Sequence, residues 1–598
     1  MNCFLSVLVA VSCLMAVVAQ VPDEKSVEAR RAGLKAALQE EWEHHLRANP
    51  EAATAVGDHR YNDRLSDCSP EFYAGEVRHA QEALRVFEAI DTTGFPEQER
   101  LSQVLMVREL REQIEGAKFK DWEMPIDQMN GWHLGYAMLP FDTTFRTAKD
   151  YQDYIARLHQ LPRVFSQMTE NMRAGLRDHL VQPRYLLEKT VLQAQDIAGK
   201  PVEDSPFAQP ARTLPAGISE REQKALREAI FAAVKQEVSP AYARLAEFLR
   251  TEYVPQGRAE YGVWSLPDGD ARYRFDIKQM TTTDLGPEEI HQMGLKQVAE
   301  IEAEMLKLAR SQGYEDLPSF NAHIRKDPRL YGTSGKQLLD LYTHYTDQMY
   351  ARLPQLFDHL PKNQLVVLPM EAFRAPNAPP ADYSIGAGDG SRPGRINVNE
   401  YDPQHRLLLN VEATAYHEGI PGHHLQFSVA QEQTSLPAFR RFAYYNAYSE
   451  GWAFYAERLG REVGFYQDPY SEYGRLENEM WRSVRLVVDT GVHAQHWSRE
   501  QMVDFFRQHT AMDEPNIASE VDRYIAWPGQ ALAYKLGQMK IIELRERARQ
   551  QLGSRFDLRA FHDALLADGP LPLDVLEQNM DRWIAAQASG TPPGRTER

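Results

Sequence analysis

The sequence predicts a mainly α-helical protein with a small β element placed just before a histidine cluster. Three observations carry this. Apolar residues recur at helical spacing through most of the 598 residues. Strand signals are sparse: one short run at Tyr273–Ile277, and the others between about residues 365 and 399. Helix-start signals recur, such as Ser219 with Glu222 three residues on and Thr283-Asp284 ahead of Pro287.

Taken in order, the chain opens on an apolar run from Phe4 to Val18. Val17 and Ala19 stand at the −3 and −1 positions of a signal-peptidase site, so residues 1–19 read as a signal peptide. The protein is therefore expected to be exported, periplasmic or secreted. An N-terminal anchor is the alternative, for which the run is short. A lipoprotein reading through Cys13 is weakened by Ala10, where leucine is usual. No later segment is apolar enough to span a bilayer, so no stable membrane insertion is expected after cleavage. Loss of the leader removes Cys3 and Cys13 and leaves Cys68, which excludes an intrachain disulfide and a cysteine metal site.

Residues 20–250 read as an N-terminal helical lobe. Its helices are expected at Ser26–Arg47, Pro70–Ala117, Phe141–His179 and Ser219–Leu249, with Pro201–Pro215 as the most linker-like stretch. Residues 251–598 read as a second lobe. There a short strand is expected at Tyr273–Ile277, and helices at Pro287–Gln312 and Gln337–Leu353. Further strands are expected at Leu365–Leu368 and, as an edge strand, Arg395–Asn399. Asp402-Pro403 reads as the start of a helix that carries Leu407, Leu408, Val411 and Ala415 on one face and ends at His417-Glu418.

A formal net charge of −18 argues against nucleic acid as a partner. Gly386-Ala-Gly388-Asp-Gly390 lies between proline-rich loops and opens no helix, which argues against a dinucleotide loop. Gly335-Lys336 lacks the upstream glycine of a phosphate loop, and no Gly-x-Ser-x-Gly elbow occurs.

The stretch His417-Glu-Gly-Ile-Pro-Gly-His423-His424 remains. Imidazoles beside a carboxylate are the donor set of a hydrolytic zinc site. The usual spacing puts two histidines four apart on one helix turn, but Pro421 occupies that second position. Its missing N–H and its ring must break the helix, and Gly422 lets the chain bulge. In a regular helix His424 would share His417's face, but about 10 Å away. A looped-out Ile420-Pro-Gly instead returns His423 to the first-turn position. His417 and His423 are therefore the favoured ligands, with His424 beside them or on substrate; which of His423 and His424 binds metal stays open. The alternative is a loop of ordinary surface histidines.

A third ligand is needed. The next helix, from Ser435-Leu-Pro437 to near Gly464, threads a polar stripe of Asn446, Glu450 and Glu457 through many aromatics. Glu450 suits a ligand arriving from a following antiparallel helix; a solvated glutamate is the alternative. A helix from about Tyr473 to Gln495 puts Arg482, Arg485, Asp489 and His493 on one face, either at the site or as a surface salt-bridge ladder. His493, Tyr524 and Tyr534 are candidate donors to an oxyanion.

Ten stretches, in order along most of the chain, resemble a known family. They are Asn49-Pro50, Ala53-Thr54, Gly57-Asp-His-Arg-Tyr61, Leu266-Pro-Asp-Gly-Asp270, Thr281-Thr-Thr-Asp-Leu-Gly-Pro-Glu-Glu-Ile-His291, Asp389-Gly-Ser-Arg-Pro-Gly394 with its Arg392, the His417–His424 cluster, Ser449-Glu-Gly-Trp452, Val488-Asp-Thr-Gly-Val-His493 and Pro528-Gly-Gln-Ala-Leu532. The pattern resembles the bacterial domain of unknown function 885 family, placed with gluzincin-like metallopeptidases. The resemblance implies a helical peptidase fold around a deep cleft, with Zn2+ held by His417, His423 and Glu450 and with Glu418 as base. A short peptide is the expected substrate, and Asp389–Asn399 is expected to pair with it as an edge strand. A zinc hydrolase acting on a non-peptide envelope amide and an inactive peptide-binding protein are the rival readings. An intact Glu418 counts against the second, because a binder needs no base.

Overall fold

A computed structural model describes residues 24–372 and 374–590; the expected signal peptide lies outside them. Helix dominates, with one three-stranded sheet. The chain begins with helices at Glu24–Ala48, Pro70–Ala89 and Glu97–Gly116, in the stretches where apolar periodicity placed them. The long helical run ending near residue 179 divides into Ala148–Leu158 and Leu161–Asp178. Ser219 caps Glu220–Ala233 by accepting from the Glu222 N–H.

Several expectations are corrected. Pro201–Pro215 is not a linker: it forms short 3₁₀ turns whose Phe207, Pro210 and Ala211 are buried. Tyr273–Ile277 lies within a helix, Gly269–Thr281, because its apolar side chains serve a helical face against Leu486 and Leu532. The helix Arg184–Gly199 carries no strong start signal in the sequence and went unforeseen. Asp402-Pro403 opens only a 3₁₀ turn, Pro403–His405, and the helix proper starts at Val411.

The sheet comprises β1 (Leu365–Pro369), β2 (Ala381–Ser384) and β3 (Gly394–Val398) in the order β1-β3-β2. β3 pairs parallel with β1 and antiparallel with β2. It is therefore the central strand, not an edge, and its backbone has no free side for a substrate. β2, unforeseen because only four residues long, is the edge next to the site.

Helices on both sides of residue 250 share one core. Leu34, Phe87 and Leu105 pack in one cluster with Trp452, Leu544 and Ile584. A second cluster, from Leu65 to Tyr253, belongs to the first part of the chain alone. Pro287–Ser311 packs along Pro469–Ala494, and Asn446–Glu462 along Ala533–Leu552. The latter pair cross where Gly451 meets Gly537: a β-carbon on Gly451 would lie 2.5 Å from the Gly537 backbone. That close approach explains the glycine after Glu450. Among the described residues, no helix is long and apolar enough to cross a membrane.

Candidate metal centre

The helix Val411–Glu418 ends one residue after His417, and a new helix, His423–Glu432, starts directly on His423. The Ile420–Pro421 peptide between them is cis. Gly422 N–H donates to Tyr416 O at 2.9 Å, and a β-carbon at Gly422 would sit 1.9 Å from His417 O, so only glycine fits. Trp452 Nε1 donates to Pro421 O at 2.9 Å, tying the break to the helix Asn446–Glu462. The bulge expected from the sequence is thus a break between two helices, held from outside by the residue two beyond Glu450.

This break brings His417, His423 and Glu450 together. One ligand atom from each lies within 4.8 Å of the others, and all three residues are buried. Glu450 Oε2 is 3.5 Å from His417 Nε2 and 3.4 Å from His423 Nε2, and has no hydrogen-bond partner. A tetrahedral ion about 2.0–2.1 Å from each donor spaces its ligands about 3.3–3.4 Å apart. An orphaned buried carboxylate oxygen facing two imidazoles at that spacing fits a zinc-type ion. His424 turns away: its ring contacts Tyr383 Oη at 3.0 Å and Asn363 O at 3.2 Å. Burial pushes it down to about 4, leaving a neutral ring that packs behind the site.

Behind His417, Nδ1 donates to Glu457 Oε1 at 2.9 Å, and Asn478 holds the other Glu457 oxygen at 3.0 Å. A carboxylate on the far ring nitrogen fixes the tautomer that leaves Nε2 free for a metal. His423 Nδ1 has no such partner. Burial opposes a charged His417 ring, but Glu450, Glu457 and Glu418 together push it up to about 9. Burial also opposes charge on Glu450, yet His423 and His417 hold it well below the usual carboxylate range. The site thus demands positive charge.

The centre opens into a cavity of about 290 Å³ lined by His417, Glu418, His423 and Glu450, by Asp382 and Tyr383 of β2, and by Tyr444, Arg482, Arg485, Arg523 and Tyr534. Glu418 is partly shielded, and its carboxylate forms no hydrogen bond among the described residues. Burial and the neighbouring Glu450 and Asp382 push its carboxyl up, against the pull of His417 and His423, to about 7. Tyr534 stacks near His417, with ring centres 6.3 Å apart. Its hydroxyl accepts from Arg523 at 2.8 Å and Gln530 at 3.3 Å, which leaves its own proton free to donate.

The remaining expected residues fall outside the cavity lining. His493 accepts from Val263 N–H at Nδ1 and donates to Tyr524 O from Nε2, so both nitrogens are spent on backbone and it cannot serve an oxyanion. Tyr524 donates to Glu520 and accepts from Arg485 and Trp481, which fixes it behind the arginines. Asp489 accepts from Tyr273 Oη and Gly529 N–H; Asn446 donates to Met280 Sδ; Arg392 donates to Ile385 O and Ala55 O. Arg482, Arg485, Asp489 and His493 form no surface ladder, since all four are buried. Cavity residues missed as such include Tyr444 and Tyr383. Tyr444, which donates to Glu450 Oε1 at 3.0 Å, was readable only as one aromatic among many. Tyr383 lies on the unforeseen β2.

The family model described as "Bacterial protein of unknown function (DUF885)" matches residues 50–580. Among solved structures, a "putative lipoprotein" from Colwellia psychrerythraea is 29% identical with a TM-score of 0.87, over 94% of this chain and 99% of that one. A "putative lipoprotein of unknown function" from Shewanella oneidensis, 18% identical with a TM-score of 0.67 over 92% of this chain and 99% of that one, shares the fold. No curated protein matches. With the match running through the helix break, Glu450 and the arginine-bearing helix, the chain belongs to the DUF885 family of bacterial proteins.

Proposed function

We propose that the protein is an exported zinc-dependent peptidase acting on short peptides. One observation carries the reading: two imidazole Nε2 atoms and an unpartnered carboxylate oxygen converge at 3.4–3.5 Å beside the free carboxylate of Glu418. His417, His423 and Glu450 would hold the ion, and three protein ligands leave the open position a hydrolytic site needs. Bound zinc supplies Lewis acidity, polarising a carbonyl and making water a stronger acid.

Glu418 takes the proton from the attacking water and later delivers it to the leaving amine, restoring the carboxylate. Tyr534 donates its free O–H to the oxygen that gains charge as the carbonyl becomes tetrahedral. Glu457 keeps the His417 ring in its working tautomer. The β2 edge beside the cavity offers backbone groups for an extended peptide. Residues 1–19 and the "putative lipoprotein" description of the 29%-identical relative support export.

Metal analysis of the purified protein alongside Glu418→Gln tests this. The variant is expected to keep its zinc and to lose roughly 10²–10⁴-fold in kcat on peptides. Undiminished activity, or protein that purifies without metal at neutral pH, overturns the reading.

A further inference from the structure

We propose that Arg482, with Arg485 and Arg523, forms a subsite that binds a carboxylate of the substrate, its free C-terminus in the first instance. The inference rests on the peptidase reading for the kind of ligand, but on its own observations for the site. All three arginines line the cavity that the metal centre opens into. Arg482 is only 5% exposed, yet its Nε and Nη1 have no hydrogen bond. Its nearest carboxylate, Glu457 at 3.7 Å, is already engaged by His417 and Asn478.

Arg485 gives Nε to Tyr524 Oη and Nη2 to Glu520, both at 3.0 Å, and its Nη1 is unpartnered. Arg523 gives Nη2 to Gln530 and Tyr534, and its Nε is unpartnered. Against three guanidinium groups stand Glu520 and a Glu457 shared with His417, so the wall carries surplus positive charge. Burying such charge is costly unless an anion meets it.

Part of the cost is met by aromatic faces. Trp481 lies 4.3 Å from Arg482 and 4.4 Å from Arg485, and Tyr534 lies 4.4 Å from Arg485. Those ring faces supply no hydrogen-bond acceptor, so Arg482 Nε and Nη1, Arg485 Nη1 and Arg523 Nε keep donors without partners, the kind of group that takes a carboxylate. Tyr534 stands between this wall and His417, so a bound carboxylate and the carbonyl under attack share one small cavity. A substrate held this way is read from its C-terminal end.

The test uses full-length Glu418→Gln protein with zinc, so that ligands bind without turnover. It is incubated with an N-acetylated random pentapeptide mixture bearing free C-termini, and separately with the same mixture as C-terminal amides; retained peptides are counted by mass spectrometry. The acids are expected to be retained about tenfold or more over the amides, the worth of a charge-assisted hydrogen bond. Equal retention of the two sets, or retention of neither, overturns the subsite. Retention only of amides that carry Asp or Glu would assign the carboxylate to a side chain and overturn the C-terminal source. In Arg482→Gln the preference for acids is expected to disappear; if it persists undiminished, Arg482 is not the reader. Wild-type protein that retains acids but cleaves none of them would sink the peptidase reading while leaving the subsite intact.

Discussion

Two buried histidines, each near the C-terminal end of a helix, have opposite surroundings. His417 meets three carboxylates, from Glu418, Glu450 and Glu457, and is pushed up to about 9 against the effect of burial. His493, near the end of Pro469–Ala494, meets two backbone groups, and burial pushes it down to about 3. Burial alone therefore says nothing about a histidine's task. Its partners do: carboxylates around a ring make a place for a cation, whereas an amide and a carbonyl make a neutral cross-link between segments.

The largest effect expected from this contrast is at the ligands. On the proposed zinc site, His423→Ala should abolish zinc binding, while His424→Ala, whose ring faces Tyr383 and Asn363, should leave it intact; zinc content by atomic emission checks both. Loss in His424→Ala alone would reverse the assignment. Next comes the carboxylate behind the ligand. Glu457→Gln is expected to weaken zinc about 10–100-fold in a competition titration with a chelator.

At the other histidine the effect should move from metal to stability. His493→Ala strands the Val263 N–H and the Tyr524 carbonyl, costing roughly 1–3 kcal/mol for each group left unpaired. Its zinc content should be unchanged, and denaturant unfolding gives the cost. Zinc loss in that variant would mean the two regions are not independent. The smallest effect is expected at Asp489, one turn before His493. Burial pushes this carboxyl up to about 7, against hydrogen bonds from Tyr273 and Gly529. The folded state then binds the proton more tightly than the unfolded chain, so stability from this group falls as pH rises from about 4 to about 7. Asp489→Asn should gain in Tm relative to the parent between pH 5 and pH 8, and a constant difference across that range would refute the shift.

Much of the helical content was legible because amphipathic spacing survives in most segments, as in Leu161–Asp178 and Pro287–Ser311. It failed where tertiary packing overrode local pattern. Tyr273–Ile277 looks like a strand alone but completes a helix against Leu486 and Leu532. Arg395–Asn399 alternates like an edge, yet β2 covers its free side.

By itself, the sequence determined that a histidine–glutamate cluster is interrupted at Pro421, with Gly422 free to bulge after it, because proline removes a helical hydrogen bond and fixes its own φ whatever surrounds it. It also made Glu450 the natural third member. Which histidine turns inward, and which of the arginines, tyrosines and His493 reach the cavity, was decided only by the tertiary structure. Side chains one helical face apart in sequence are sorted by what packs on either side: Tyr383 and Asn363 draw His424 out, backbone groups claim His493, and the Trp481 and Tyr534 rings hold the arginine wall toward the His417–His423–Glu450 cluster.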